Sequence, residues 1–207
     1  FKGGTALRVI YNSPRFSEDL DFSIFDMEKH LEKKFIDDIF AQVLSNIEKI
    51  GINVELGEAK QTDGGYYGDA TFKILDYPQV AVVINISSRN GREVKGEVDT
   101  VANDFVSAYN VFHLPQIQLV EEKVFDALLK RKKARDFYDL YFIMRKGLLN
   151  VDQKKRLNDV KNWIISEAKF LDFKSELGVF LPQDQQDIIK QFSANLIGEL
   201  ERQLGGL

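Results

Sequence analysis

The sequence predicts an α+β fold, and three observations predict it. Up to about residue 115, short alternating runs of apolar and polar residues dominate. Beyond that point apolar residues recur with helical spacing almost to the end. No internal repeat or low-complexity stretch breaks either part. The expected division is an α+β domain over residues 1–113 and a helical domain or lobe over 114–207. A chain of 207 residues suffices for one large domain or two small ones.

Gly3-Gly4 opens a short helix, Thr5 to Tyr11, and Asn12-Ser13-Pro14-Arg15 has turn chemistry. Asp19 to Ile24 alternates strictly. Asp19, Asp21 and Ser23 share one face and Leu20, Phe22 and Ile24 the other, the pattern of a half-buried strand. Over 28–50, Leu31, Phe35, Ile39, Val43, Ile47 and Ile50 form an apolar helical stripe of the kind that faces a core. Candidate strands follow at 52–58, 69–76, 79–88 and 94–101, some separated by the turn-rich Asp63-Gly64-Gly65 and Arg89-Asn90-Gly91. After Leu114-Pro115, a helix is expected over about 118–133, marked by Leu119, Val120, Val124, Ala127 and Leu128. An aromatic-rich helix covers 135–146, and two more lie near 151–170 and 184–203, closed by Gly205-Gly206.

Composition narrows the chemistry. The chain is 44% hydrophobic and 29% charged, and no apolar run is long enough to span a bilayer. No secretory leader is visible, although the chain starts at Phe1 rather than Met. Phe1-Lys2-Gly3-Gly4 reads as a strand end, so native residues are expected before it. The absence of cysteine excludes disulfides, thiolate zinc sites and cysteine nucleophiles, and fits a cytoplasmic protein. His30 and His113 are far apart and form no local metal motif, so a metal site here would use oxygen ligands, suited to magnesium or manganese. The formal charge of −4 is not that of a protein that coats nucleic acid.

Asp19 and Asp21 stand two apart on one strand and point the same way. Neighbouring carboxylates repel unless a positive charge lies between them. A pair of divalent ions about 4 Å apart would bind a triphosphate and activate an attacking oxygen. An Asp-x-Asp alone is equally a solvated strand face. Gly3-Gly4-Thr5 shifts the balance, because glycines at a helix start let backbone N–H groups approach a phosphate. Thr5 adds a hydroxyl for the phosphate, or caps the helix.

Phe1-Lys2-Gly3-Gly4-Thr5-Ala6-Leu7 followed by Arg15-Phe16-Ser17-Glu18-Asp19-Leu20-Asp21-Phe22 resembles the nucleotidyltransferases of the AbiEii/AbiGii toxin family. Glu122 to Leu128 and Arg135 to Leu140 resemble that family's downstream motifs. The resemblance covers roughly residues 1–145. It implies a polymerase-β-like nucleotidyltransferase core with a mixed sheet and a helical C-terminal lobe. It further implies a toxin of a toxin–antitoxin or phage-defence (abortive infection) system, with a nucleoside triphosphate as substrate. An RNA 3′ end such as that of tRNA would be the acceptor and a cognate antitoxin the partner. Carried over by residue, Gly3, Gly4, Thr5 and Ser17 would hold phosphate, and Asp19 and Asp21 the metals. Lys123 would contact the triphosphate, and Asp136 would be a second acid near the reaction centre.

Each role has a plainer counterpart. Lys123 can be a surface lysine paired with Glu122 or Asp126, and Asp136 can cap the next helix. Asp136 can otherwise hold Lys123 or Arg131, with Asp139 sharing the role. The family's third strand carboxylate falls at Asn85 in Val80 to Ser87, where an amide oxygen can ligate a metal but brings no charge. That departure leaves room for a catalytically weak binding module; a small-molecule nucleotidyltransferase is the third reading. Lys130-Arg131-Lys132-Lys133-Ala134-Arg135 is the densest basic run, either an RNA contact or a solvated helix end. Tyr66 and Tyr67 could stack on a base but fit an exposed hairpin turn better.

Overall fold

The computed structural model describes residues 1–25, 28–62, 64–89, 94–104 and 106–205, with the backbone alone for residues 29, 30 and 89. The turn positions Asp63 and Asn90-Gly91, Gly206 and the His30 side chain lie outside the described residues.

The fold is mixed α+β. Helix α1 (Gly3–Tyr11) leads through a loop into β1 (Asp19–Phe25), and α2 (Lys29–Lys49) follows. Three strands come next, β2 (Asn53–Thr62), β3 (Gly65–Lys73) and β4 (Val80–Arg89). The four strands form one sheet in the order β1-β4-β3-β2. β1 and β4 are parallel, and the other two pairings are antiparallel. The order follows from the connections: short ones join β2, β3 and β4, whereas α2 lies between β1 and the rest so that β1 can pair parallel to β4. A separate two-stranded ribbon holds β5 (Glu97–Val101) and β6 (Tyr109–His113). β6 was not expected from sequence; its apolar Val111 and Phe112 are too few to set a period.

α2 corrects the sequence reading. Leu31, Phe35, Ile39 and Val43 are exposed, while Glu32 and Ile36 are buried and Phe40, Leu44 and Ile47 half-buried. The helix carries apolar residues on two adjacent stripes, so periodicity marks a wide arc without choosing which half packs. The sheet takes the second stripe: Phe40 lies against Tyr66, ring centroids 5.9 Å apart, and Ser88 Oγ donates to Glu32 at 2.9 Å.

The C-terminal part is helical. α3 (Gln116–Val120) continues as a π-helix over Glu121–Leu128 and ends in α4 (Leu129–Arg131). α5 (Ala134–Arg145), α6 (Val151–Ala168), α7 (Phe173–Leu177) and α8 (Phe192–Leu204) complete it, with a 3₁₀ stretch over Gln183–Gln191. The single helix expected near 184–203 is therefore two pieces. Phe137, Leu140 and Ile143 of α5, Leu157 and Ile164 of α6, and Phe192, Leu196 and Leu200 of α8 make the buried core. The α5 aromatics split accordingly, Phe137, Tyr138 and Phe142 being buried and Tyr141 half-buried. Ala6 and Leu7 of α1 enter the same core, so the glycine turn that opens α1 is fixed against the helices. Among the described residues no helix is long and apolar enough to cross a membrane.

Candidate active site

The glycine turn and β1 meet directly. Lys2 N–H donates to the Asp21 carbonyl at 2.8 Å, in an antiparallel bridge beside β1. Gly3 has φ +81°, a left-handed backbone that side chains rarely adopt. A Cβ there would also fall 2.1 Å from Asp21 Oδ2, so glycine is what lets the carboxylate lie against the turn. Gly4 works similarly from the other side, where a Cβ would meet Arg15 Nη2 at 2.6 Å and Ser17 Oγ at 2.7 Å. Helix α1 begins at Gly3, which leaves its first N–H groups without intrahelical partners beside this cluster. Thr5 is neither cap nor free hydroxyl: its Oγ1 donates to the Asp19 carbonyl at 2.5 Å. What Thr5 can still offer a phosphate is its backbone N–H.

Asp19 and Asp21 share a face of β1, as alternation requires. Burial, and after it the charge of Asp21, push the Asp19 carboxyl above its usual range, partly offset by Arg135 and Arg131. The parallel register sets Asp21 opposite Asn85, whose Nδ2 donates to Asp21 Oδ1 at 3.2 Å. The position expected for a third carboxylate is thus beside Asp21 and filled by an amide. Among the described residues no cluster of three or more His, Cys, Asp or Glu side chains could hold a metal ion. Two carboxylates, joined by the Asn85 amide once its oxygen rather than Nδ2 is turned toward Asp21, make an all-oxygen donor set, which suits a hard cation such as magnesium.

The helical part brings the cations. Lys123 projects from the π-helical segment, a distortion often found at functional sites. It is not a surface lysine paired with Glu122 or Asp126: its side chain is 11% exposed and Nζ donates to Asp139 Oδ2 at 2.9 Å. Arg15 holds the same carboxylate through Nε at 2.8 Å and Nη2 at 3.0 Å. Burial would raise the Asp139 carboxyl, but Lys123 and Arg15 outweigh it and hold the group below its usual range. Asp136 does not cap α5, whose N-cap is Lys133. Its Oδ1 takes Arg131 Nη2 at 2.5 Å, and its buried Oδ2 has no partner.

These groups line one small cavity of about 40 Å³, formed by Gly4, Arg15, Ser17, Asp19, Asp21, Lys123, Arg131, Arg135, Asp136 and Asp139. A second cavity of about 150 Å³ adjoins it through Asp21, Lys123 and Arg131, and is walled by Lys2, Glu122 and Leu119. Sequence reasoning missed Lys2, which is buried and donates to Glu122 at 3.1 Å and to Ser87 at 3.4 Å. Its place next to the glycines was the available signal. The basic run does not form one patch. α4 ends at Arg131, Lys132 turns left-handed, and α5 starts at Ala134. Arg131 and Arg135 line the cavity, Lys130 pairs with Asp126, and Lys132 pairs with Glu167 beside Trp163.

Comparison with known proteins places the chain in a family and its fold beside a solved structure. The profile of a family described as "Nucleotidyl transferase AbiEii toxin, Type IV TA system" matches residues 1–203. Among solved structures, the fold is similar to that of MenT4, a nucleotidyltransferase toxin from Mycobacterium tuberculosis H37Rv. That similarity has a TM-score of 0.62 and 16% identity, over 100% of this chain and 75% of the other. No curated protein gives a sequence match.

Proposed function

The chain belongs to the AbiEii family of nucleotidyl transferase toxins of type IV toxin–antitoxin systems, and from that premise we propose that it moves a nucleoside monophosphate from a nucleoside triphosphate to the 3′ hydroxyl of an RNA such as tRNA. The observation that carries the reading is the cavity that Asp19 and Asp21 line together with Lys123, Arg131 and Arg135.

In this reading the N–H groups at Gly4 and Thr5, with Ser17, bind phosphate oxygens at the start of α1. Lys123, Arg131 and Arg135 neutralise the β- and γ-phosphates. Asp19 and Asp21, helped by the Asn85 amide oxygen, are the residues that would hold magnesium or manganese. A bound divalent ion supplies Lewis-acid stabilisation of charge on the phosphoryl oxygens. The acceptor oxygen forms its bond to the α-phosphorus, the bond to the bridging oxygen breaks, and pyrophosphate leaves. The hydroxyl proton passes to Asp136 Oδ2, the buried oxygen without a partner. Most of the rate gain comes from positioning and preorganised charge. A cognate antitoxin is the expected protein partner.

The test is incubation with each labelled triphosphate, magnesium and total RNA. Labelled RNA is expected from the wild type, with none from Asp19→Ala or Asp21→Ala; transfer undiminished in either variant would sink the proposal. One observation favours a second reading, a binding module with weak or no catalysis: the amide of Asn85 beside Asp21 where the fold normally supplies an acid. Magnesium-dependent triphosphate affinity without any transfer would support that reading.

A further inference from the structure

The pairing register assembles a row that no single strand displays. Paired residues on neighbouring strands point to the same face of a sheet. Asp21 on β1 pairs with Asn85 on β4, Asn85 with Tyr67 on β3, and Tyr67 with Lys60 on β2. Lys2 continues the row on the other side of Asp21. One transverse line across the sheet thus reads Lys2, Asp21, Asn85, Tyr67, Lys60. With strands about 4.8 Å apart, Tyr67 stands about 10 Å and Lys60 about 14 Å from Asp21.

The two adjacent tyrosines separate here. Tyr66 faces α2 and packs on Phe40. Tyr67 faces the side that carries the aspartates and is 40% exposed. Neither fits the hairpin turn expected from sequence, since both lie within β3. The face beyond Tyr67 is open, every residue of β2 except Val54 being exposed.

The flanking rows give the line a direction. On one side lie Asp19, Val83 and Asp69, followed by Glu55 opposite Thr71, and these acids repel phosphate. On the other side, beyond the buried hydroxyl of Ser23, lie Gly65, Thr62 and Ser87, which accepts from Lys2 Nζ, with no acid among them. A polyanion leaving the reaction centre meets less repulsion along the Tyr67–Lys60 row and its hydroxyl side.

We propose that this row is the track for the single-stranded 3′ end of the RNA acceptor, with Tyr67 stacking on a base next to the reacting nucleotide and Lys60 meeting a backbone phosphate. The inference rests on the nucleotidyltransferase reading of Asp19 and Asp21 and adds where the acceptor lies. Stacking on an aromatic is tolerant of sequence, as every base has a π face. Lys60 pairs at present with Glu58, with both side chains well exposed, and such pairs exchange readily for a phosphate.

The test compares wild type with Tyr67→Ala, Tyr67→Phe and Lys60→Gln. Affinity for a short single-stranded oligoribonucleotide is measured over a range of salt, and affinity for the triphosphate separately. Tyr67→Ala is expected to weaken oligonucleotide binding about 5- to 100-fold, with triphosphate affinity unchanged. Tyr67→Phe should stay within about twofold, because it keeps the ring. Lys60→Gln should lower the salt slope by about one. The track is wrong if Tyr67→Ala binds the oligonucleotide like wild type. It is also wrong if that variant loses triphosphate affinity in equal measure, or if Tyr67→Phe behaves like Tyr67→Ala. A wild type that labels a protein or small molecule and binds no oligonucleotide overturns it too. Because the oligonucleotide is scored without chemistry, absence of all transfer by wild type counts against the nucleotidyltransferase reading alone.

Discussion

Two aspartate pairs reach the same cavity and are treated oppositely by the fold. Asp136 and Asp139 stand three apart on α5, and each meets a cation: Asp139 holds Arg15 and Lys123, and Asp136 holds Arg131. Asp19 and Asp21 stand two apart on β1, and among the described residues neither forms an ion pair within the chain. Asp21 accepts only the neutral Asn85 amide, and Asp19 is pushed upward by burial and by Asp21. A carboxylate whose charge is met inside the fold stabilises the fold. One whose charge is unmet leaves work for a ligand. The difference is one of partners, and it makes the β1 pair the place to look for metal binding, while on α5 Asp139 is the frame that holds the cations and Asp136 keeps one oxygen without a partner.

The sharpest way to break this comparison is to neutralise one member of each pair. Asp21→Asn should cut nucleotidyl transfer about a thousandfold, about 4 kcal/mol, while the thermal midpoint stays level or rises because a repulsion is removed. Labelled transfer and a thermal melt read the two quantities on one sample. A variant that loses stability in proportion to activity would put Asp21 in the frame instead.

Asp139→Asn should do the reverse. It leaves Arg15 and Lys123 buried without their anion, a change that costs about 3–5 kcal/mol in comparable buried pairs. Urea unfolding measures it. The acid limb offers a second readout. The folded Asp139 carboxyl lies below its unfolded value, so its contribution is fully present above the unfolded pKa, about 3.9. It is lost as pH falls from there through the folded pKa. Asp139→Asn should flatten this part of the stability profile and leave neutral-pH slopes alone.

This contrast also marks what a sequence can and cannot carry. Asp19 and Asp21 were legible as a face because strand alternation is a local rule, and the Gly3-Gly4 turn because a left-handed residue and a close approach both favour glycine. That residue 85 would stand beside Asp21 was expected only from the family resemblance; the parallel register that places it there depends on strand pairing, which no local pattern carries. The partner of Lys123 was not legible. Asp139 lies 16 residues away on another helix, and a contact of that kind depends on packing. Lys2 was missed because a buried lysine needs Glu122 and Ser87 to make sense, and both are distant in sequence. On α2, two adjacent apolar stripes competed, and only the sheet beneath decided between them.

Asn85→Asp sharpens the comparison from the other direction. It adds a third unmet charge beside Asp21 and removes the amide donor to Asp21 Oδ1. Magnesium-dependent triphosphate affinity should rise about tenfold, about 1.4 kcal/mol, because added ligand charge tightens a hard-cation site. The metal-free protein should unfold at lower temperature, since three carboxylates then repel without a counter-charge. Titration calorimetry with and without magnesium separates the two effects. An unchanged affinity would mean that residue 85 is no part of the donor set.

The smallest effect is expected in the densest basic run of the sequence. Lys130 begins the basic run, yet its side chain is 71% exposed and pairs with Asp126 one helical turn away. Exposed pairs of this kind contribute about 0.3–0.5 kcal/mol, so Lys130→Gln should change stability by no more than about that amount. It should also leave oligoribonucleotide affinity and its salt slope nearly as in the wild type, in contrast to Lys60→Gln. The run is broken by the turn at Lys132, which sends Arg131 and Arg135 to the cavity and Lys132 to Glu167. Charges adjacent in sequence therefore serve different neighbours. If Lys130→Gln lowers the salt slope as much as Lys60→Gln does, the RNA path runs over the helix end and the division between a reactive sheet and a supporting helical part has to be redrawn.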